Sequence, residues 1–515
     1  MQVTRQRRKV PGARLGLPDW AGRRLRIVIA ATAAFLAVGG GMAYATTVAF
    51  GHNLVGTQYK DGIQVSDDQI IKPLGDRLLT QFGKFMGSTV SPDGRFLAAT
   101  SADKPVALQI FDLSTYKLIW TVGSAPGLSQ GLSDGTVGQE GPTYSPDGKF
   151  LWLPQQDALT RFPVTPQGTL GTPTRFPLPR VNGLSALVAK TVYSPDGSTL
   201  YAAINGQDTV KALDPTTGAV EHTWNVGIAP RSLAFVGGKL YVSNEGGRQA
   251  QPGDTTLGSC NRPPTCYDTK VPADGTLGTT TTGTVSVIDP ANPSAAVGSI
   301  AVGLHPTAMF ASGNALFVAN TNSDTVSVID TATGQVVQTI DTQPWKASSV
   351  GYEPDGITLT SDGHLLVTLG RANAVAVYRY DGTPKDPVSF IGLLPTDYYP
   401  SNVATTAGGQ IVVTNTRGID ARGPGITTFK GQGTEPVTGH DTHSTTASLT
   451  RFTLPSDQQI ANDTGTVFQQ NGWGNNDVQQ AGSTKAAPVP VPVRIGDPST
   501  IKHVFLIIKE NRTYD

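Results

Sequence analysis

Apolar and polar residues alternate in short runs through most of the chain, and the clearest run is Leu316 to Gly334, LFVANTNSDTVSVIDTATG. Leu316, Val318 and Asn320 share one face and Phe317 and Ala319 the other, which is the period of a strand. Asn322-Ser323-Asp324 then breaks the alternation with side chains that hydrogen-bond their own backbone in a turn. A second run follows at Val326, Val328 and Asp330, Thr333-Gly334 supplies another bend, and Val336 to Ile340 starts a third. Three short strands cannot bury their own apolar faces, so the pattern demands neighbours of the same kind.

Those neighbours are in the chain. Leu200 to Gly218, LYAAINGQDTVKALDPTTG, aligns with the first stretch without a gap, and Leu365 to Gly382, LLVTLGRANAVAVYRYDG, follows it closely. Upstream of the leucine a tight turn recurs: Ser-Pro-Asp-Gly at Ser91, Ser145 and Ser194, Ser-Asp-Gly at Ser361, and shorter forms at Gly237-Gly238, Ser312-Gly313 and Gly408-Gly409. Proline presets φ at the second turn position and glycine accepts positive φ, so these turns join strands and carry no chemistry. Seven turns predict seven copies.

The copies resemble the YVTN repeat family, in which each repeat is one blade of a β-propeller, and the resemblance runs from roughly Gly87 to Leu454. It implies an all-β fold, a seven-bladed, WD40-like propeller of four-stranded blades over residues 51–455. Within it, blade one holds Leu108 to Ile110 in its third strand, blade two centres on Leu151-Trp152-Leu153 and blade three on Tyr201. A lead-in segment, Ile63–Val65 or Ile70-Ile71, is expected to pair with the last blade and close the ring, because closure removes exposed strand edges. Propellers host many unrelated functions, so the fold leaves the chemistry open.

Blades four and seven depart from the repeat. Leu240 to Asn244 is separated from its partner Thr284 to Asp289 by an insertion, Glu245 to Gly283, and Ile411 to Asn415 meets its partner only at Ser448 to Phe452. Both insertions leave from the same turn of the repeat, so they rise from one face of the disc, where a protein, glycan or phosphoester ligand is expected to dock.

Composition adds limits. The 515 residues carry 39 basic and 39 acidic side chains, a balance without the basic footprint of a nucleic-acid binder. Eight arginines and lysines lie before residue 27, and Ile27 to Phe50 then runs without a charge. A basic segment before an apolar one directs export, so residues 1–50 read as a signal peptide, with Ala43-Tyr44-Ala45 as its cleavage site, or as a retained membrane anchor at 27–50. Export makes the protein extracellular, periplasmic or cell-surface. In that compartment Cys260 and Cys266, the only cysteines, are expected to form a disulfide across a loop holding Pro263 and Pro264.

Past the ring, Ser456 and Gln459 form a helix start ahead of Ile460, Val467 and Phe468. Residues 456–500 comprise this helix and a proline-rich linker with Pro488, Pro490, Pro492 and Pro498. Residues 501–515, IKHVFLIIKENRTYD, begin with an apolar run at Val504 to Ile508 suited to an inner strand of a parallel sheet. Glu510 and Asn511 follow its carboxyl end, where open α/β sheets place ligands, and their oxygens suit a divalent metal.

This tail resembles the opening motif of the alkaline-phosphatase-like phosphoesterases, the group of phospholipase C and acid phosphatase. Pro395-Thr396-Asp397-Tyr398-Tyr399-Pro400, Asn415-Thr416-Arg417-Gly418, the linker and Glu510 to Asp515 follow the order of exported proteins that join a propeller to such an enzyme. The resemblance implies that Glu510 and Asn511 are the first ligands of a divalent metal and that the full-length protein is a phosphoesterase, a hydrolase of ester bonds. The chain stops at Asp515, before a nucleophile and further ligands, so it is expected to be non-catalytic itself, to hold no cofactor and to serve as a binding region. Two alternatives stand beside that reading: a stand-alone cell-surface propeller that binds protein or glycan, and a lactonase-like propeller enzyme. The last requires acids, an arginine or a histidine clustered at the central channel, and the sequence shows no such pattern. His305, before Pro306, reads as a residue of a between-blade turn.

Overall fold

The computed structural model describes residues 58–505 except 60–61, 66–68, 81–83, 102–105, 124–131, 133–136, 259–268, 344–350, 418–426, 431–432, 437–446, 474–486 and 492–497. Seven four-stranded antiparallel sheets account for most of it. Their first strands are Phe85–Val90, Thr143–Tyr144, Val188–Tyr193, Ile228–Val236, Pro306–Ser312, Pro354–Leu359 and Pro400–Thr405, one per blade in chain order. First strands of adjacent blades pack on one another around a central channel. The tight turns expected from the sequence join the first and second strands of all seven blades.

The ring is held by the surfaces that a single blade cannot hide. Seven apolar clusters fill seven gaps between blades. Phe317, Val328, Leu365 and Val367 lie between blades five and six, and Trp152, Leu159, Leu200 and Ala202 between blades two and three. Phe85, Leu97, Val412 and Leu449 fill the last gap, between blades seven and one. As the alternation in the central repeat requires, Phe317 and Ala319 enter one gap while Leu316 and Val318 enter the other.

The asparagine that ends the second strand has a structural task. Asn244 and Asn320 are fully buried, and each Nδ2 donates to third-strand hydroxyls: Ser286 at 3.0 Å and Thr284 at 3.1 Å, Ser327 at 2.9 Å and Thr325 at 3.1 Å. Asn415 reaches Thr450 in the same way at 3.3 Å. A buried N–H donor needs an acceptor, which ties the Nδ2 of this asparagine to the hydroxyls of the next strand.

Ring closure uses a different segment from the one expected. Asp76–Thr80 is the outermost strand of blade seven and pairs with Ala447–Thr453, whereas Gly62–Gln64 and Ile70–Ile71 pair with each other in a small separate sheet. Ion pairs select the closing strand more than apolar alternation does. Arg77 binds the fully buried Asp397 at 2.7 Å, and Asp76 binds Arg451 at 3.0 Å.

Helix α1, Asp457–Gln470, begins as expected, with Ser456 Oγ accepting from the Gln459 amide. It covers the outer strand of blade six, Ser389–Pro395, burying Ile460 and Val467, so that edge is shielded from other chains. Asp457 at its first turn binds His364 at 2.8 Å and Arg379 at 2.7 Å. Among the described residues no helix is long and apolar enough to cross a membrane, and the proposed signal or anchor at 27–50 lies outside them. Of the expected inner strand Val504 to Ile508, Val504 and Phe505 are exposed and outside any strand, and the rest lies outside the described residues.

Candidate functional site

A residue at the start of each first strand has an unusual backbone. Lys84, Gly141, Leu187, Ala229, His305, Glu353 and Tyr399 all have positive φ, between 45° and 78°. Non-glycine residues pay roughly 1–2 kcal/mol for that conformation, so the surroundings must impose it. The turn after the second strand of the preceding blade does so. Asp208 Oδ1 accepts the Ala229 amide at 2.9 Å, Asp324 Oδ1 accepts the amides of Tyr352 and Glu353 at 2.7 and 2.9 Å, and Asn373 Oδ1 accepts that of Tyr399 at 2.9 Å. Gly351 lets this approach happen, since a Cβ there would sit 2.4 Å from Asp324 Oδ2. Blades three, five and six thereby hold the start of the next blade at the channel mouth.

A charged cluster is assembled at that mouth. Arg231 donates through Nε to Glu140 at 2.6 Å and through Nη1 to Glu245 at 2.7 Å, and its Nη2 lies 3.5 Å from Asp355. These four side chains are only 12–16% exposed. Glu140 precedes blade two, Arg231 and Glu245 belong to blade four, and Asp355 belongs to blade six, so contacts between non-adjacent blades span the channel. His305 Nε2 lies 3.7 Å from Glu245, and Lys190 of blade three donates to the Glu140 carbonyl at 3.0 Å. Glu353 accepts from the Tyr399 hydroxyl at 2.7 Å and binds Arg371 at 2.8 Å.

Burial sets the proton affinities. It pushes the Asp355 carboxyl up to about 6 despite the neighbouring Arg231, with Glu140 and Glu245 adding repulsion. It lowers His305 against the opposing pull of Glu245, and it lowers Lys190. For Arg231 the three acids outweigh burial and fix the charge. A carboxyl that titrates near neutrality beside a fixed cation can exchange a proton with a bound ligand.

The sequence placed none of these residues in a site. Glu245, assigned to the blade-four insertion, continues the second strand, which runs to Gly247, and its carboxylate is part of the cluster. His305 is a mouth residue as well as a turn residue. A signal was available: Gly141-Pro142, Ala229-Pro230, His305-Pro306, Glu353-Pro354 and Tyr399-Pro400 mark the same step in five blades. The residues that were singled out, Glu510 and Asn511 as metal ligands and Cys260 and Cys266 as a disulfide, lie outside the described residues. Among the described residues no group of three or more histidines, cysteines or acids has the arrangement to hold a metal ion.

The opposite end of the ring is chemically quieter. A cleft of about 430 Å³ there is lined by Asp93, Arg95, Asp147 and Lys149 from the turns of blades one and two. Its aspartates are already engaged: Asp93 accepts from Ser91 Oγ and the Arg95 amide, and Asp147 from Ser145 Oγ and the Lys149 amide. The same turn recurs at Ser194 with Asp196 and at Thr360 with Asp362.

No family model matches the chain, and no curated protein does. Similar solved structures include hydrazine synthase of Kuenenia stuttgartiensis, 16% identical with a TM-score of 0.46, covering 67% of this chain and 96% of that one. Virginiamycin B lyase from Staphylococcus aureus is 13% identical with a TM-score of 0.46 over 73% of this chain and 98% of its own. The RRP9 WD40 repeats are 10% identical with a TM-score of 0.49 over 74% of this chain and all of theirs. Likeness at this level says nothing of ligand or activity. Its own seven sheets and seven inter-blade cores make the chain a seven-bladed β-propeller.

Proposed function

We propose that the chain is the binding region of an exported phosphoesterase, taking its ligand at the channel mouth and doing no phosphoester chemistry itself. The observation that carries the binding role is the Arg231 cluster, in which blades two, four and six converge on one guanidinium. The connections that hold the insertions of blades four and seven, after Gly247 and after Asn415, leave from the same edge of the ring. Export and the phosphoesterase partner rest on the basic and apolar N-terminus and on Glu510 to Asp515. The purified chain, supplied in turn with Mg²⁺, Mn²⁺, Zn²⁺ and Ca²⁺, is expected to leave p-nitrophenyl phosphate intact. In intact cells an added protease is expected to reach it. Turnover that disappears in Glu510→Ala, or complete protection from protease, would overturn this reading.

One observation favours a second reading. A lactonase-like propeller needs acids, an arginine or a histidine at the channel, and Asp355, Glu140, Arg231 and His305 supply them there. On that reading the chain hydrolyses a simple γ-lactone, and Asp355→Asn slows it at least about 100-fold, the range of general acid–base catalysis. Absence of lactone turnover in the unmodified chain removes it.

A further inference from the structure

Lys190 feels the charge of Glu140 but, among the described residues, forms no ion pair with a carboxylate. Arg231 has three acids and Arg371 has Glu353, whereas the Lys190 ammonium has, among the described residues, the Glu140 carbonyl at 3.0 Å as its hydrogen-bond partner. An ammonium has three donors, so two remain for another acceptor. Glu140 offsets part of the cost of withdrawing this cation from water, and an acceptor on its open donors offsets more.

Arg231 shows a matching gap. Its Nε and Nη1 are held at 2.6 and 2.7 Å, but among the described residues Nη2 has only Asp355 at 3.5 Å, too long for a hydrogen bond. Both open donors flank Glu140, whose carbonyl takes Lys190 and whose carboxylate takes Arg231. They come from neighbouring first strands, Val188–Tyr193 and Ile228–Val236, which pack side by side.

We propose that Lys190 and the Nη2 edge of Arg231 form a subsite for the phosphate group of a small phosphomonoester at the channel mouth. This deepens the reading of the mouth as the binding site and rests on it. A tetrahedral phosphate has oxygens and charge enough to meet the Lys190 ammonium and the open Nη2 edge of Arg231 together, whereas a carboxylate brings a single charge on two oxygens. The phosphate takes the place at Nη2 that Asp355 fills poorly, and Asp355, which burial disposes to hold a proton, opposes it less than an ordinary carboxylate would. With Asp355 protonated, Arg231 and Lys190 together balance Glu140 and Glu245, and Glu353 is held by Arg371 and Tyr399, so the anion meets a cluster without net negative charge.

The test is calorimetric titration of the full 515-residue chain with inorganic phosphate and, separately, with acetate, in the unmodified protein and in Lys190→Met, Lys190→Arg and Lys149→Met. The proposal predicts one phosphate per chain, at least tenfold weaker binding in Lys190→Met, affinity within threefold of the original in Lys190→Arg and in Lys149→Met, and little heat with acetate. An unchanged urea midpoint in Lys190→Met shows that the fold is retained. Equal phosphate affinity in the original protein and Lys190→Met overturns the subsite, as does equal binding of acetate or no binding at all. Failure here leaves the hydrolysis and export tests of the proposed function untouched, and their failure leaves this titration readable.

Discussion

Where first strands turn into second strands, each Ser-Pro-Asp-Gly motif closes on itself: serine hydroxyl to aspartate, aspartate to the amide two residues on, serine oxygen to the amide five residues on. At the other end of the ring the polar groups are satisfied across blades. Asp324 of blade five holds the start of blade six, and Arg231 of blade four reaches acids of blades two and six. Both ends belong to the same repeat, yet a turn that is locally satisfied has nothing to offer a ligand, while a group satisfied only by distant partners keeps unused donors. The comparison teaches that a repeat protein varies where its blades must cooperate.

The largest break in that contrast is expected from Arg231→Met, which leaves Glu140, Glu245 and Asp355 buried without their cation. Urea unfolding should show a loss of about 3–5 kcal/mol. Asp397→Ala removes the buried partner of Arg77 and of Ser448 Oγ, at 2.7 and 2.8 Å, and loosens the closing strand, with an expected loss of about 3 kcal/mol by the same measurement.

Asp355 sharpens the comparison through pH. Its folded carboxyl titrates near 6 against 3.8 in the unfolded chain, so the stability it contributes is full below pH 3.8 and is lost as pH rises through about 6. Asp355→Asn cannot ionise. Relative to the original protein it should gain stability between pH 4 and 8, by up to about 3 kcal/mol, read as the difference between urea midpoints at the two ends. The turn aspartates carry the opposite sign. Asp147 is held at about 2 by Ser145 and the Lys149 amide, so its contribution is present above pH 3.8 and disappears as pH falls through about 2. Replacing it with alanine should cost about 1 kcal/mol at pH 7 and leave phosphate binding at the mouth unaltered.

The sequence made one end of the ring legible and hid the other. Ser91, Ser145 and Ser194 repeat the same letters because each turn solves the same local problem, and the alternation through Leu316 to Ile340 has one geometric solution. Helix α1 was equally open to reading, since Ser456 and Gln459 are neighbours in sequence as well as in space. Glu140, Lys190, Arg231, His305 and Asp355 differ at the corresponding step of each blade, so comparing copies averages them away, and only folding brings Glu140 to Arg231. The closing strand was missed for a related reason. Asp76-Arg77-Leu78-Leu79-Thr80 is less apolar than Ile63 or Ile70 and their neighbours, and what selects it, Asp397 and Arg451, stands more than three hundred positions away.

A double-mutant cycle compares the two ends most directly. Glu140→Gln and Arg231→Gln, singly and together, should give a coupling of at least about 2 kcal/mol in urea unfolding, because the pair is buried and spans the channel. The surface pair Asp147 and Lys149, at 3.1 Å with side chains 50% and 74% exposed, should couple by less than about 0.5 kcal/mol. Coupling at the mouth no larger than at the turn would contradict the account.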